Sequence, residues 1–195
     1  MGFLRVWLTG YVSPTRMVEM LREKPAPHWG FYAQLGRALL DSILLYLPLA
    51  LMGRAPSTPS SLPFIPTERY YAASVLFMPV FLVAQWLLLG SVVHLILRLS
   101  GRRSNVDQIL NITGMAALIV GAFLVVWDWV FILLGGEDVV FLGISHLVFD
   151  LWAILITVRG LERILGVPVW LGVVLNLVWV GLGVPLAILF VRGPV

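Results

Sequence analysis

The chain has 195 residues, 60% of them apolar and 12% charged, with a formal charge of +3. A soluble domain is about half apolar and a quarter charged, and one of this length could not hide so much apolar surface in its core, so lipid is the solvent the composition requires. Cysteine is absent, which excludes disulfides, thiolate metal sites and cysteine nucleophiles, and the basic residues lie between apolar runs, not in an aromatic-interleaved stripe that would suit nucleic acid.

Residues 1–12 carry Arg5 inside their apolar stretch, and no small-residue cleavage site follows. No cleavable signal peptide is expected, and the first span serves as the insertion signal. Ser13 as N-cap and Pro14 at the first helical position predict a short helix over 13–23. Met17, Met20, Leu21 and Lys24 fall at i, i+3, i+4 and i+7, and Pro25 stops the pattern. This amphipathic helix is too short to span. Two placements suit it: in the interfacial plane, with Arg16, Arg22 and Lys24 toward anionic headgroups, or packed on the ends of the bundle.

Five apolar runs follow, over 31–52, 72–99, 109–134, 139–158 and 169–191. Each reaches the roughly 20 residues that cross about 30 Å of hydrocarbon at 1.5 Å per residue. Each must be a helix, because lipid offers no partner to an unpaired backbone group. Pro56, Pro59, Pro63 and Pro66 make 53–69 an extended loop, Tyr70 and Tyr71 mark an interface, and Pro79 is a place for a kink. Residues 100–108 and 159–168 read as short basic loops. Gly135-Gly136-Glu137-Asp138 reads as a tight turn that makes an antiparallel hairpin of the third and fourth spans. Ala117 and Gly121, and Gly172, Gly181 and Gly183, supply the small residues that helix contacts in lipid need.

The expected fold is therefore an all-α, polytopic bundle of five transmembrane helices over 31–195, preceded by a cytoplasmic segment, 1–30. Arg5, Arg16, Arg22, Lys24, Arg37, Arg98, Arg102, Arg103, Arg159 and Arg163 fall on one side of the spans, against Arg54, Arg69 and Arg192 on the other. The positive-inside rule places the N-terminus in the cytoplasm and, after five crossings, the C-terminus outside. A multi-pass protein of the cell membrane is the expected localisation.

Three stretches carry a family pattern. Pro14-Thr15-Arg16-Met17-Val18-Glu19-Met20-Leu21 forms a short pre-membrane helix opening on proline. Gly101-Arg102-Arg103 turns the chain from the second span into the third. Leu151-Trp152-Ala153-Ile154-Leu155, Arg159-Gly160-Leu161 and Gly166-Val167-Pro168 lie between the last two spans. In these the chain resembles the Yip-domain family, the Ypt/Rab-interacting membrane proteins and their prokaryotic relatives. The resemblance implies a five-helix membrane domain with a cytoplasmic N-terminus. Eukaryotic relatives are linked to vesicle traffic and small GTPases. Their long N-terminal cytoplasmic region has no counterpart in residues 1–30, so GTPase docking is not carried over.

Ionisable groups inside spans are costly and are functional candidates by default. Asp128 and His146 lie at similar distances either side of the Gly135 turn, and Asp150 is one helical turn beyond His146 on the same face. An imidazole flanked by two carboxylates suits a proton relay or a divalent cation. The alternative is an aromatic belt, with Asp128 beside Trp127 and Trp129, and His146 and Asp150 bonded to each other. Arg37, Asp41, His94, Asn111 and Asn176 form a second, inner group. There Arg37 and Asp41 neutralise each other at i, i+4, His94 and Arg98 share a face and snorkel, and the two asparagines bond between helices.

Gly143-Ile144-Ser145-His146 lacks the trailing glycine of a serine nucleophile elbow, and no His-Glu-x-x-His helix or phosphate loop is present. The expectation is a non-enzymatic, cofactor-free Yip-like membrane protein acting through helix-bundle contacts with lipid, other membrane proteins or further copies of itself. The alternative is a small transporter or channel, its proton or cation path formed by Asp128, His146, Asp150 and Asp41.

Overall fold

The computed structural model describes residues 2–24, 26 and 28–194, and every apolar run closes its backbone hydrogen bonds within a helix. Two short helices come first, α1 (Phe3–Val12) and α2 (Pro14–Glu23). The first crossing is α3 (His28–Asp41), a π-turn (Ser42–Tyr46) and α4 (Leu47–Leu51) end to end. Then come α5 (Tyr70–Leu99), α6 (Val106–Leu133), α7 (Val139–Leu165) and α8 (Val169–Phe190). Five stretches, His28–Leu51, Thr67–Leu99 and the three last helices, are long and apolar enough to cross a membrane, and no strand occurs among the described residues.

Helix α1 is an element the periodicity did not announce, because Arg5, Thr9 and Gly10 interrupt its apolar pattern. Each has a local explanation. Arg5 is exposed, Thr9 Oγ1 returns a hydrogen bond to the Arg5 carbonyl at 2.7 Å, and Gly10 leaves room for Ile119 of α6. Helix α2 starts as expected, with Ser13 Oγ accepting from the Arg16 N–H at 3.4 Å. It folds back on α1, and Val6, Met17, Val18, Met20 and Leu21 are buried with Ile119 and Ile156. Of the two placements open to α2, packing on the bundle is the one found, with Arg16, Arg22 and Lys24 facing outward. The stop assigned to Pro25 lies outside the described residues.

The bundle is built around α6, the most buried of the crossings. Helices α3 and α6 meet backbone to backbone. A Cβ at Gly30 would stand 2.5 Å from the Leu110 carbonyl oxygen, and one at Gly114 would stand 2.5 Å from that of Gly30. Asn111 joins the same contact, its Oδ1 accepting from the Gly30 N–H at 2.6 Å and its Nδ2 donating to the Ala26 carbonyl at 3.0 Å. These bonds satisfy the start of α3, where helix N–H groups lack partners, and fix the depth of α3 against α6.

The π-turn has a cause that can be traced. Pro48 has no N–H to give the Leu44 carbonyl four residues back. The Trp129 indole N–H of α6 donates to that carbonyl instead, at 2.6 Å. The Leu47 N–H reaches back five residues to Ser42.

At the end of the bundle away from α1 and α2, the proline-rich loop is held by the chain's last residues. Arg192 donates to the carbonyls of Pro59 and Ile188 at 2.8 and 2.6 Å, to that of Val191, and to Ser61 Oγ. Tyr70 and Tyr71 are buried, not displayed at an interface. Their hydroxyls donate to the carbonyls of Phe190 and of Gly193, the latter at 2.6 Å. Helix α5 runs unbroken through Pro79.

At the opposite end, α7 continues two turns past the expected boundary, so 159–165 is helix and not loop. Arg159 bonds Glu162 one turn on, at 2.9 Å, and the helix stops at Gly166, whose φ of 67° suits a left-handed C-cap. A helix has no reason to end where its apolar face does; it ends where capping residues and Pro168 end it.

Candidate functional site

The α6–α7 hairpin turns at Gly135, with φ 73°, and Asp138 caps α7 by accepting from Val140 and Phe141 N–H at 2.9 and 3.0 Å. This turn sets the register that brings Asp128 and His146 together, with Oδ1 and Nε2 2.8 Å apart. Asp128 is 5% exposed. Of the alternative arrangement, the bond between His146 and Asp150 is not found. The Trp127 indole donates to Ser145 Oγ at 2.7 Å and that of Trp129 to the Leu44 carbonyl, and both rings stay half-exposed. His146 bonds Asp128 and not Asp150.

The division into outer and inner groups does not hold. The Gly30–Gly114 contact carries Arg37 to Gly121, the α6 position whose missing side chain makes room for the guanidinium stem. Arg37 bonds Asp41, as its spacing predicts. The same guanidinium lies within electrostatic reach of Asp128 and Asp150, and Asp150 within reach of His146. Arg37 belongs to this cluster, and the other nine Lys and Arg of the basic side are exposed.

Arg37, Asp41, Asp128, His146 and Asp150 thus form one cluster between α3, α6 and α7. Tyr46 also lies within electrostatic reach of Arg37. One guanidinium and one imidazole face three carboxylates. With His146 protonated the cluster is one positive charge short of neutrality, and with it neutral, two. Uncompensated charge is strongly disfavoured inside a membrane, so the arrangement calls for a proton or another cation.

Among the described residues no three His, Asp or Glu side chains are placed to hold a metal ion. The divalent-metal reading of Asp128, His146 and Asp150 therefore lacks a ligand cage. Asp150 makes no hydrogen bond or ion pair of its own among the described residues. Asp150 is exposed, and it borders a half-open cavity of about 400 Å³ lined by residues of α3, α5, α6, α7 and α8, among them Gln34, Arg37, Gln85, Trp86 and Asn176.

The remaining polar residues take separate places. His94 Nδ1 lies 2.8 Å from Ser104 Oγ and ties the end of α5 to the next loop, in place of snorkelling beside Arg98. Asn111 bonds between helices as expected. Asn176 does not: its Nδ2 donates to the Gly172 carbonyl of its own helix at 2.8 Å. Gly172 meets Val158, whereas no atom comes within 4 Å of a Cβ at Gly181, so that glycine seats no helix. Gln34 and Gln85 are site residues the sequence reading passed over. An amide within an apolar run was the available signal, the one that singled out Asn111.

Fold and site together define a multi-pass, all-helical membrane protein with a charged cluster and an adjoining cavity in its core. No protein-family model, curated protein or solved structure matches the chain.

Proposed function

We propose that this protein moves protons or small cations across the cell membrane, with its N-terminus in the cytoplasm and its C-terminus outside, and that it is not an enzyme. The observation that carries the reading is the charge balance around Asp150. That carboxylate opens on the cavity unpaired, while Arg37 is taken by Asp41 and Asp128 by His146. A site short of one or two positive charges binds and releases them, which a purely structural ion pair does not. Histidine is the side chain whose ordinary titration lies nearest neutrality, which suits His146 to pass a proton between Asp128 and Asp150. The orientation is supported by nine exposed basic residues at the α1–α2 end, with Arg54, Arg69 and Arg192 at the other.

The experiment is proton movement in vesicles reconstituted with the purified protein and loaded with a pH-sensitive dye, under an imposed potential. Flux above that of empty vesicles, abolished by His146→Ala, is expected. Flux equal to that of empty vesicles, with sodium and potassium substituted in turn, contradicts the reading.

A second reading, a Yip-like protein acting through contacts with lipid, other membrane proteins or its own copies, draws support from the short proline-initiated helix α2 ahead of five crossings. It predicts specific capture of a membrane partner or a stable oligomer, with no flux.

A further inference from the structure

The polar side chains around the cavity share an orientation. Gln34 Nε2 donates to the Leu82 carbonyl at 3.1 Å, Gln85 Nε2 to that of Gly183 at 3.3 Å, and Asn176 Nδ2 to that of Gly172 at 2.8 Å. Only the amide nitrogen can donate to a carbonyl, so these bonds fix which way each amide points. Every wall amide spends a donor on the protein and keeps its oxygen back. Thr113 differs: it donates to the Ile109 carbonyl at 2.9 Å, and its oxygen already accepts from the Trp86 indole at 3.0 Å. Gln34 is 5% exposed, and its Oε1 is buried with no donor, as is rare for such a group, and is sealed from the cavity itself. The wall is therefore rich in acceptors and holds one unpaired carboxylate, Asp150. Its cation, Arg37, is matched by Asp41. The rest is apolar and aromatic, with Trp86 and Trp179 among the lining residues.

From this pattern we infer that the cavity is a binding site for a small organic ammonium ion. Asp150 is its counter-ion, the amide oxygens of Gln85 and Asn176 are acceptors for its N–H groups, and the tryptophans are walls for its apolar body. Aromatic faces attract organic cations. The volume lies within the roughly 300–1,000 Å³ of small-molecule pockets. An anion would meet the spare N–H groups of the amides and an Arg37 already paired with Asp41, but also the unpaired carboxylate of Asp150, and a neutral ligand leaves Asp150 uncompensated. The inference rests on the cation reading above and gives that cation a chemical class.

The test compares three probes with one body and different charge, benzylammonium, benzyl alcohol and benzoate, by equilibrium dialysis against the purified full chain in detergent. Benzylammonium binding at one per chain is expected, with the alcohol at least about tenfold weaker, since a hydrogen bond to a charged group and its ion pair are lost, and benzoate not bound. Asp150→Asn is expected to weaken benzylammonium by about tenfold or more. Gln85→Leu, which removes an acceptor from another helix and leaves the charge in place, is expected to weaken it less and serves if the first variant does not fold. Equal binding of all three probes, tighter benzoate, or no effect of either substitution overturns the inference.

Competition by phosphatidylethanolamine but not phosphatidylglycerol identifies a lipid headgroup as the source of the ammonium; no competition identifies a free amine. Proton flux without benzylammonium binding removes this inference and leaves the transport reading. Binding without flux does the reverse.

Discussion

Asp128 and His146 meet across the α6–α7 hairpin, with Oδ1 2.8 Å from Nε2 and 18 residues between them. The carboxylate side chain is 6% exposed and the imidazole 30%. Removing either partner leaves the other without this hydrogen bond. His146→Ala and Asp128→Asn are each expected to cost about 2 kcal/mol, in the range of hydrogen bonds to charged groups. The double variant is expected to cost less than the sum of the two. Thermal unfolding of the four proteins in one detergent gives the coupling; simple additivity would show the pair to be independent.

The contact of α3 with α6 depends on glycine at two facing positions. Gly30→Ala places a methyl against backbone, which no side-chain rotation relieves, and is expected to cost about 1–3 kcal/mol. Gly181→Ala faces open space and is expected to change stability by no more than about 0.5 kcal/mol. Melting temperatures of the two variants provide the comparison.

Trp129→Phe keeps an aromatic side chain but loses the five-membered ring and with it the N–H that serves the Leu44 carbonyl. A loss of about 1 kcal/mol is expected. Pro48→Ala in the same background returns an N–H to the helix at that turn and is expected to recover part of the loss. If the double variant is no more stable than Trp129→Phe alone, the account of the π-turn is wrong.

Arg192 clasps the proline-rich loop through Pro59 and Ser61. Arg192→Met keeps much of the stem and loses those bonds. Faster proteolytic cleavage within 53–66 is expected, with the cleavage rate elsewhere unchanged. Equal rates would mean that the loop is held by other contacts.

The five crossings were legible because each is a long apolar run with no alternative to a helix in lipid. The Asp128–His146 pair was legible too, since a tight turn fixes the register of its two arms. Arg37 and Asp41 were misplaced for a related reason. No short turn links α3 to α6; their depth is set by the Gly30–Gly114 contact and by Asn111, residues far apart in the chain whose pairing no local spacing encodes. Asn176 turned to its own helix because a carbonyl one turn back lay nearer than any neighbour. The end of α7 was read from charge, when the cap at Gly166 was the sounder signal. Helix α1 went unread because its interruptions serve contacts that exist only in the folded bundle.

The absence of cysteine permits a direct test of the cavity beside Asp150. A single thiol at Ala153, in the cavity wall, would be the chain's only one. In membrane vesicles, Ala153→Cys is expected to react with a cationic methanethiosulfonate several times faster than with an anionic one of similar size, and Asp150→Asn to remove the preference. A thiol at Leu147, exposed on the outside of α7, is expected to react with neither. An Ala153→Cys protein that ignores both reagents, or prefers the anion, would contradict a hydrated, cation-attracting core.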